Sequence, residues 1–366
     1  MRKVAVSSWA TSTFTKGSKM TLYELACEPS VQLLRHSDIS AKEIDAVLFS
    51  SCSNDQYSSA IISEMLGIHP KISYRVDNLC NSGTNAVTSA FAIIASGLCK
   101  TVLVVGAEKV DSPGNRLLWD VTRGDFMFPL HWAAIFAKAH MKKYGTTEEQ
   151  MALVSVKNHK NAIKNPLALF KKEVALQDVM NSKKIAPPIK LLDCSAPCDG
   201  ASAVLLVSEE KARRLDNSVF IKGIGQQTTS ASFAKATSDL TTIEAAKRAA
   251  RTAFEMSHTK ASQIDVAELH DAFTILEILA YEDLGFAKKG EGGKFVDQMQ
   301  IAINPRGGII GCGHPIGATG VAQVAEIACQ LAGKAGNRQV KDCKTGLVHN
   351  LAAAGSSASV IVMGVR

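Results

Sequence analysis

An α/β protein built as two similar halves is the fold that this 366-residue sequence predicts, and three observations predict it. Continuous apolar runs alternate with stretches of helical periodicity, the pattern of a mostly parallel sheet covered by helices. The alternation occurs twice, before and after a charged crossing at residues 209–216. Both halves also end alike: Gly200-Ala201-Ser202 and Gly355-Ser356-Ser357 are small-residue turns, each followed by a β-branched run.

In the first half, residues 3–8 read as a buried strand, 22–36 as a helix, and 45–51 and 72–76 as two further strands. Residues 85–96 (NAVTSAFAIIAS) carry apolar side chains at helical spacing, and 101–107 (TVLVVGA) form another apolar strand. The alternation then stops. Residues 111–190 hold Pro113, Gly114, Pro129, Pro166, Pro187 and Pro188 among amphipathic pieces, which reads as an insertion rather than more sheet. The second half gives strands at 219–224, 264–269 and 345–351, and helices at 242–254, 273–284 and 321–331. The halves are therefore expected at 1–210, which includes the insertion at about 111–190, and at 217–366.

A chain of this length that is 46% hydrophobic can fill two cores. No apolar run reaches membrane-spanning length, and the opening Met1-Arg2-Lys3-Val4-Ala5-Val6 has no hydrophobic signal core, so a cytoplasmic protein is expected. Nine cysteines, odd in number and irregularly spaced, do not make a secreted disulfide framework. No second pair complements Cys194 and Cys198, and no metal is expected. The formal charge of +7 gathers in the insertion: between 138 and 190 eleven lysines face only Glu148, Glu149, Glu173 and Asp178. Such a face suits the phosphates of a small ligand, or is simply solvated; no aromatic interleaving points to nucleic acid.

The chemistry gathers at turns. Cys80, in Asp77-Asn78-Leu79-Cys80-Asn81-Ser82-Gly83, lies between a strand and a helix start, where unpaired N–H groups and the helix dipole favour a thiolate. The alternative is a small buried hydrophobe. In the second half the corresponding turn is Gly311-Cys312-Gly313-His314-Pro315-Ile316-Gly317-Ala318-Thr319-Gly320. If the halves are related by a pseudo-twofold axis, His314 faces Cys80, and an imidazole beside a thiol is the activated nucleophile of acyl transfer. A phosphate cradle is the other reading of that glycine-rich start. His270 and His349 follow apolar strands in the same half, at the strand ends where α/β active sites form.

Asn78-Leu79-Cys80-Asn81-Ser82-Gly83, His270-Asp271-Ala272-Phe273, the run from Gly307-Gly308 through Gly313-His314-Pro315 to Gly320, and the closing His349-Asn350 together resemble the thiolase superfamily over essentially the whole chain. The wording is most similar to archaeal acetyl-CoA acetyltransferases and sterol-carrier-protein-type thiolases. The resemblance implies a five-layered αβαβα fold of two βαβαβαββ halves, a loop domain, and thioester chemistry with coenzyme A as substrate and product and no prosthetic group. It implies that Cys80 is acylated, that His314 activates it, and that His270 helps hold the thioester oxygen. The backbone N–H groups of Cys80 and Leu351 would form a second oxyanion hole.

One part of the family pattern is missing. The usual second cysteine aligns with His349 or, in the sterol-carrier type, with Ala272, which leaves His349, His314 or Cys312 as the base for the α-carbon. Acetyl-CoA C-acetyltransferase is the activity implied. The alternatives are a thiolase-like aldolase needing an OB-fold partner and a non-catalytic acyl-CoA-binding subunit; the glycine-histidine run argues against a decarboxylating ketoacyl synthase. A homodimer or homotetramer is implied, with a hydroxymethylglutaryl-CoA synthase and an OB-fold zinc-ribbon protein as possible partners. Residues 126–132 are expected in the pocket wall.

Overall fold

The computed structural model describes residues 2–53, 55–110, 128–216, 218–230, 238–298, 301–353 and 355–365. The first half opens with β1 (Val4–Thr11), α1 (Leu22–Arg35), β2 (Ala46–Ser50), α2 (Ser58–Met65), β3 (Ile72–Val76), α3 (Ser82–Ser96) and β4 (Thr101–Glu108). The insertion adds α4 (Pro129–Tyr144), α5 (Glu148–Ile163), α6 (Leu176–Asn181) and a hairpin of β5 (Lys184–Ala186) and β6 (Ile189–Lys190), before β7 (Gly200–Ser208). After α7 (Glu209–Ala212) come β8 (Val219–Thr228), α8 (Glu244–Ser257), β9 (Val266–Glu268), α9 (Thr274–Asp283), α10 (Gly292–Gln298) and β10 (Ala302–Ile303). The chain closes with α11 (Gly308–Cys312), α12 (Ile316–Leu331), β11 (Thr345–Ala352) and β12 (Ser357–Gly364).

Ten strands share one sheet system in the order β10-β9-β11-β12-β8-β1-β7-β4-β2-β3. Read outward from the β8–β1 junction, each half places its first, fifth, fourth, second and third strands in turn, so the repeat expected from the sequence is present in the topology. The junction itself is a short antiparallel ladder of Val4, Ala5 and Val6 against Ile221, Phe220 and Val219. The sheets are more mixed than the mostly parallel arrangement expected. β2, β3 and β4 are parallel, but β7 returns antiparallel between β4 and β1. In the second half the turn after β11 is too short for a crossover, so β12 runs antiparallel to β11.

Side-chain alternation along each strand builds the layers. Val102, Val104, Val204 and Leu206 face inward with Val348, Ile361 and Met363, and α3 and α12 fill the space between through Ala86, Val87, Val321 and Val324. Leu103, Val105, Leu205 and Val207 face outward under α1. Leu347, Val360 and Val362 face the opposite way, under α8 and α9. The result is helix, sheet, helix, sheet, helix. α3 and α12 cross very closely: a Cβ on Gly83 would sit 2.7 Å from the backbone nitrogen of Val321.

Several boundaries differ from those expected. α3 begins at Ser82 rather than 85, and α12 at Ile316 rather than 321, because Pro315 supplies a backbone preset for the turn before the helix. Short α2 and α11 and the two-residue β10 were too brief to show a period. The described part of the insertion packs on the second half, Trp132, Phe136, Met151 and Val154 joining Ile275 and Leu279 in one core. Not all its lysines form a basic face. Lys190 is buried against Glu148 at 2.9 Å and Asp193 at 3.4 Å, and Lys157 pairs with Glu277 at 2.9 Å. Among the described residues no helix is long and apolar enough to cross a membrane.

Candidate active site

Cys80 sits in the turn from β3 to α3, one residue before the helix-capping Asn81. Leu79 takes a left-handed conformation (φ 49°), and its N–H is held by Asp77 Oδ1 at 3.1 Å. Ser82 ties the turn from inside, its Oγ accepting from Asn78 N–H at 2.7 Å and donating to Leu79 O at 2.6 Å. Asn78 and Asn81 anchor to Ser357 across the second half, at 3.1 and 3.3 Å. Against the thiolate expected from the helix start, burial, helped by the charge of Glu108, pushes the thiol of the half-buried Cys80 up to about 12. Desolvation of the charged sulfur outweighs the helix end.

His314 lies between α11 and α12, its N–H donating to Ala196 O at 2.8 Å. Its Nδ1 meets Thr319 Oγ at 2.8 Å, and Thr319 Oγ donates to Pro315 O at 3.0 Å. The hydroxyl proton is thus committed to the carbonyl, so the imidazole donates from Nδ1 and keeps a lone pair on Nε2. That Nε2 is buried without a protein partner. Burial, with Arg306 nearby, lowers His314 to about 4, so it rests neutral. Cys80 Sγ and nitrogens of His314 and His270 lie within 4.8 Å of one another. A neutral base thus stands beside a neutral thiol, the arrangement that moves a proton when a carbonyl arrives. Two imidazoles and a sulfur are also a donor set that suits zinc.

His270 follows β9 and meets His314 edge-on, ring centroids 5.5 Å apart. Burial, then His314 and His349, hold it well below the ordinary imidazole range. His349 on β11 is fully buried, both ring nitrogens lack partners, and burial lowers it to about 3. Its ring stands outside the 4.8 Å group. Cys312 points elsewhere: its thiol donates to Arg306 O at 2.9 Å and packs with Phe14, Ala162 and Cys198, so it does not enter the site. Leu351 is buried opposite Ala358 in the β11–β12 ladder, and among the described residues β9 pairs with β11 only as far as Val348. Of residues 126–132, positions 126 and 127 lie outside the described residues; Phe128 is exposed and Trp132 buried.

Sequence reasoning missed the residues that hold these groups. Asp271 caps α11, accepting from the N–H of Ile309 at 2.6 Å and of Ile310 at 3.2 Å, and Asn158 of the insertion bonds the same carboxylate at 2.6 Å. Glu108 accepts from Gly317 N–H at 3.0 Å and Cys52 N–H at 2.9 Å, fixing the start of α12 against β4; burial raises its carboxyl to about 7. Asn350 and Gln323 pair behind His270. Only the Asx-type residue before an apolar helix is a signal legible locally; these bonds join distant positions.

Residues 4–210 match the family described as "Thiolase, N-terminal domain", and 225–365 match "Thiolase C-terminal domain-like". The chain belongs to the thiolase family. An acetyl-CoA acetyltransferase of Methanothermobacter thermautotrophicus is 37% identical to this thiolase, covering 98% of the chain and 99% of that protein. Sterol carrier protein 2 of Oryctolagus cuniculus is also 37% identical, over 77% of the chain and 56% of its own length. Among solved structures the Ltp2-ChsH2(DUF35) aldolase superposes with a TM-score of 0.89 at 25% identity, covering 99% of this chain and 97% of that one. This thiolase is accordingly an acyltransferase-family enzyme with the thiolase fold.

Proposed function

We propose that this thiolase is an acetyl-CoA C-acetyltransferase that joins two acetyl-CoA into acetoacetyl-CoA and free coenzyme A, or runs the reverse thiolysis. The supporting observation is that His314, its Nδ1 held by Thr319 and its Nε2 left without a partner, groups with Cys80 Sγ. In this reading the Cys80 proton passes to His314, the thiolate attacks the acetyl carbonyl, and the leaving coenzyme A thiolate recovers that proton. Backbone N–H groups of Cys80 and Leu351 take the oxyanion. Exposed lysines of the insertion, such as Lys138, Lys142, Lys171 and Lys172, offer positive charge for coenzyme A phosphates. With the usual second cysteine missing, the α-carbon base in this reading is His349, buried with both ring nitrogens unpartnered, or His314.

The aldolase neighbour gives a second reading, carbon–carbon cleavage on a coenzyme A thioester with an OB-fold partner. The same assay separates the two readings. Purified protein alone, given acetoacetyl-CoA and coenzyme A, is expected to consume both, while Cys80→Ala neither turns over nor forms an acetyl-enzyme by mass spectrometry. Acetylation of Cys80 without turnover would sink the self-sufficient acetyltransferase and favour a partner-dependent enzyme. A cytoplasmic homodimer or homotetramer is part of the same proposal, with hydroxymethylglutaryl-CoA synthase and the zinc-ribbon protein as candidate companions.

A further inference from the structure

Away from Cys80, a cavity of about 310 Å³ lies among the end of β1, α1, α12 and the loop before α11. None of Cys80, His270, His314 and His349 lines it. Of its apolar walls, Trp9 comes from β1 and Phe14 from just beyond it, while Ala322, Ala325 and Cys329 form one stripe of α12. One charged wall is poorly matched. Arg306 is 4% exposed, and among the described residues only Nε of its guanidinium meets an acceptor, Glu268 Oε2 at a long 3.5 Å. Nη2 is buried with no partner. Phe14 stacks on the guanidinium, its ring centroid 5.6 Å from the central carbon, and so leaves the in-plane N–H groups unspent. Glu268 also accepts the backbone N–H of Arg306 at 3.2 Å, and burial raises its carboxyl to about 7, so near neutral pH it offsets the guanidinium only in part. Arg338, the other cation of the cavity, is matched in full: its Nε and Nη2 both reach Glu326 at 2.9 Å.

A buried guanidinium with idle N–H groups is costly, and an anion that accepts from both terminal nitrogens relieves the cost. Charge and shape decide which anion. Arg306 brings the one unmatched positive charge, and Glu326 stands in the same cavity, so a dianion meets repulsion that a monoanion largely escapes. A carboxylate fits the planar fork, and the apolar walls beside it suit a short hydrocarbon tail. The volume lies at the small end of ligand pockets, which limits that tail to a few carbons. We propose that this cavity is a binding site for a short-chain aliphatic monocarboxylate, its carboxylate held by Arg306 and its tail against Phe14, Ala322 and Ala325. The site lies apart from the acyl-transfer residues and does not depend on the acetyltransferase reading. The residue that takes the carboxylate is nonetheless tied to the turn that carries His314. The carbonyl of Arg306 accepts from the thiol of Cys312 at 2.9 Å and from Asn165 Nδ2 at 3.1 Å.

Calorimetric titration of the full chain with sodium butyrate tests the site. The wild type is expected to bind butyrate saturably, one per chain, and Cys80→Ala to keep the same Kd within about twofold. Arg306→Met, of similar length but without donors, should weaken butyrate by about tenfold or more, the worth of hydrogen bonds to a charged group. Ala325→Leu keeps Arg306 and fills the cavity, so it carries the test even if Arg306→Met does not fold; it too should weaken butyrate by about tenfold or more. Inorganic phosphate, titrated in parallel, should bind at least about tenfold more weakly than butyrate. No saturable butyrate binding by the wild type overturns the proposal, and so does binding that survives Ala325→Leu or a folded Arg306→Met unchanged. Binding that disappears in Cys80→Ala would place the butyrate in the candidate active site instead and equally overturn it. Phosphate bound as tightly as butyrate would overturn the assignment to a monocarboxylate.

Discussion

At the scale of single residues, the candidate site sets a thiol raised by burial beside a lowered imidazole, His314, held in one tautomer. Thr319 spends its hydroxyl proton on Pro315 O, and that choice fixes which nitrogen of His314 is basic. Thr319→Val should therefore lower kcat for acetyl transfer by roughly 10–100-fold with little change in KM, read from steady-state thiolysis. An unchanged kcat would mean that His314 is oriented by something else. Cys80 and His314 were legible in the sequence because each sits inside a short run of small residues and glycines. Their resting charge was not. A helix end suggested a thiolate, but the neighbours that bury Cys80 come from both halves, and no local pattern reports that. Thr319 lies five residues from its histidine, Asn350 is 27 from Gln323, and Gly317 is 209 from Glu108. Periodicity has nothing to say about such pairings.

At the scale of elements, α3 and α12 bring the site together because glycine lets their backbones nearly touch. A methyl group on Gly83 would meet Val321 N at 2.7 Å and Gly320 Cα at 3.0 Å, backbone atoms that cannot swing aside. Gly83→Ala is expected to destabilise the protein by about 1–3 kcal/mol, seen as a lower urea midpoint, and to reduce activity by spreading Cys80 from His314. An unchanged midpoint would show that the crossing has slack. The long helices and apolar strands were readable, being longer than their own period. Their starts were less so: α3 and α12 begin earlier than apolar spacing suggests, in the small polar residues that the tertiary contact selects. The parallel expectation failed at β7 and β12, where direction is set by connections rather than by composition.

At the scale of the whole molecule, buried ionisable groups tie stability to pH. Glu108, raised to about 7 by burial, binds a proton more tightly folded than unfolded. Its contribution is fully present below the unfolded value near 4.5 and is lost as pH rises through about 7. The buried histidines run the other way, their contribution present above about 6.5 and lost as pH falls. Replacing Glu108 isolates the first effect. The fall in Tm between pH 5 and pH 8 should be smaller in Glu108→Gln than in the wild type, by differential scanning calorimetry; an equal or steeper fall would count against a titrating carboxyl at this place. The two-half architecture was visible in the order of elements, but the way the halves share a site was visible only through the motif resemblance, since no single stretch spans the junction.

Among the described residues three pairs, Val4, Ala5 and Val6 with Ile221, Phe220 and Val219, stitch the two sheets directly. Adhesion between the halves therefore rests on the middle layer of α3 and α12, each half donating one helix and one wall, and on the insertion, whose Trp132, Phe136, Met151 and Val154 share a core with the second half. Neither half owns a complete interior. A gene-duplicated ancestor of either half alone would have presented this apolar wall to water, and could have hidden it only against a second copy of itself. The pseudo-twofold that sets His314 opposite Cys80 is the symmetry that such a pairing would have.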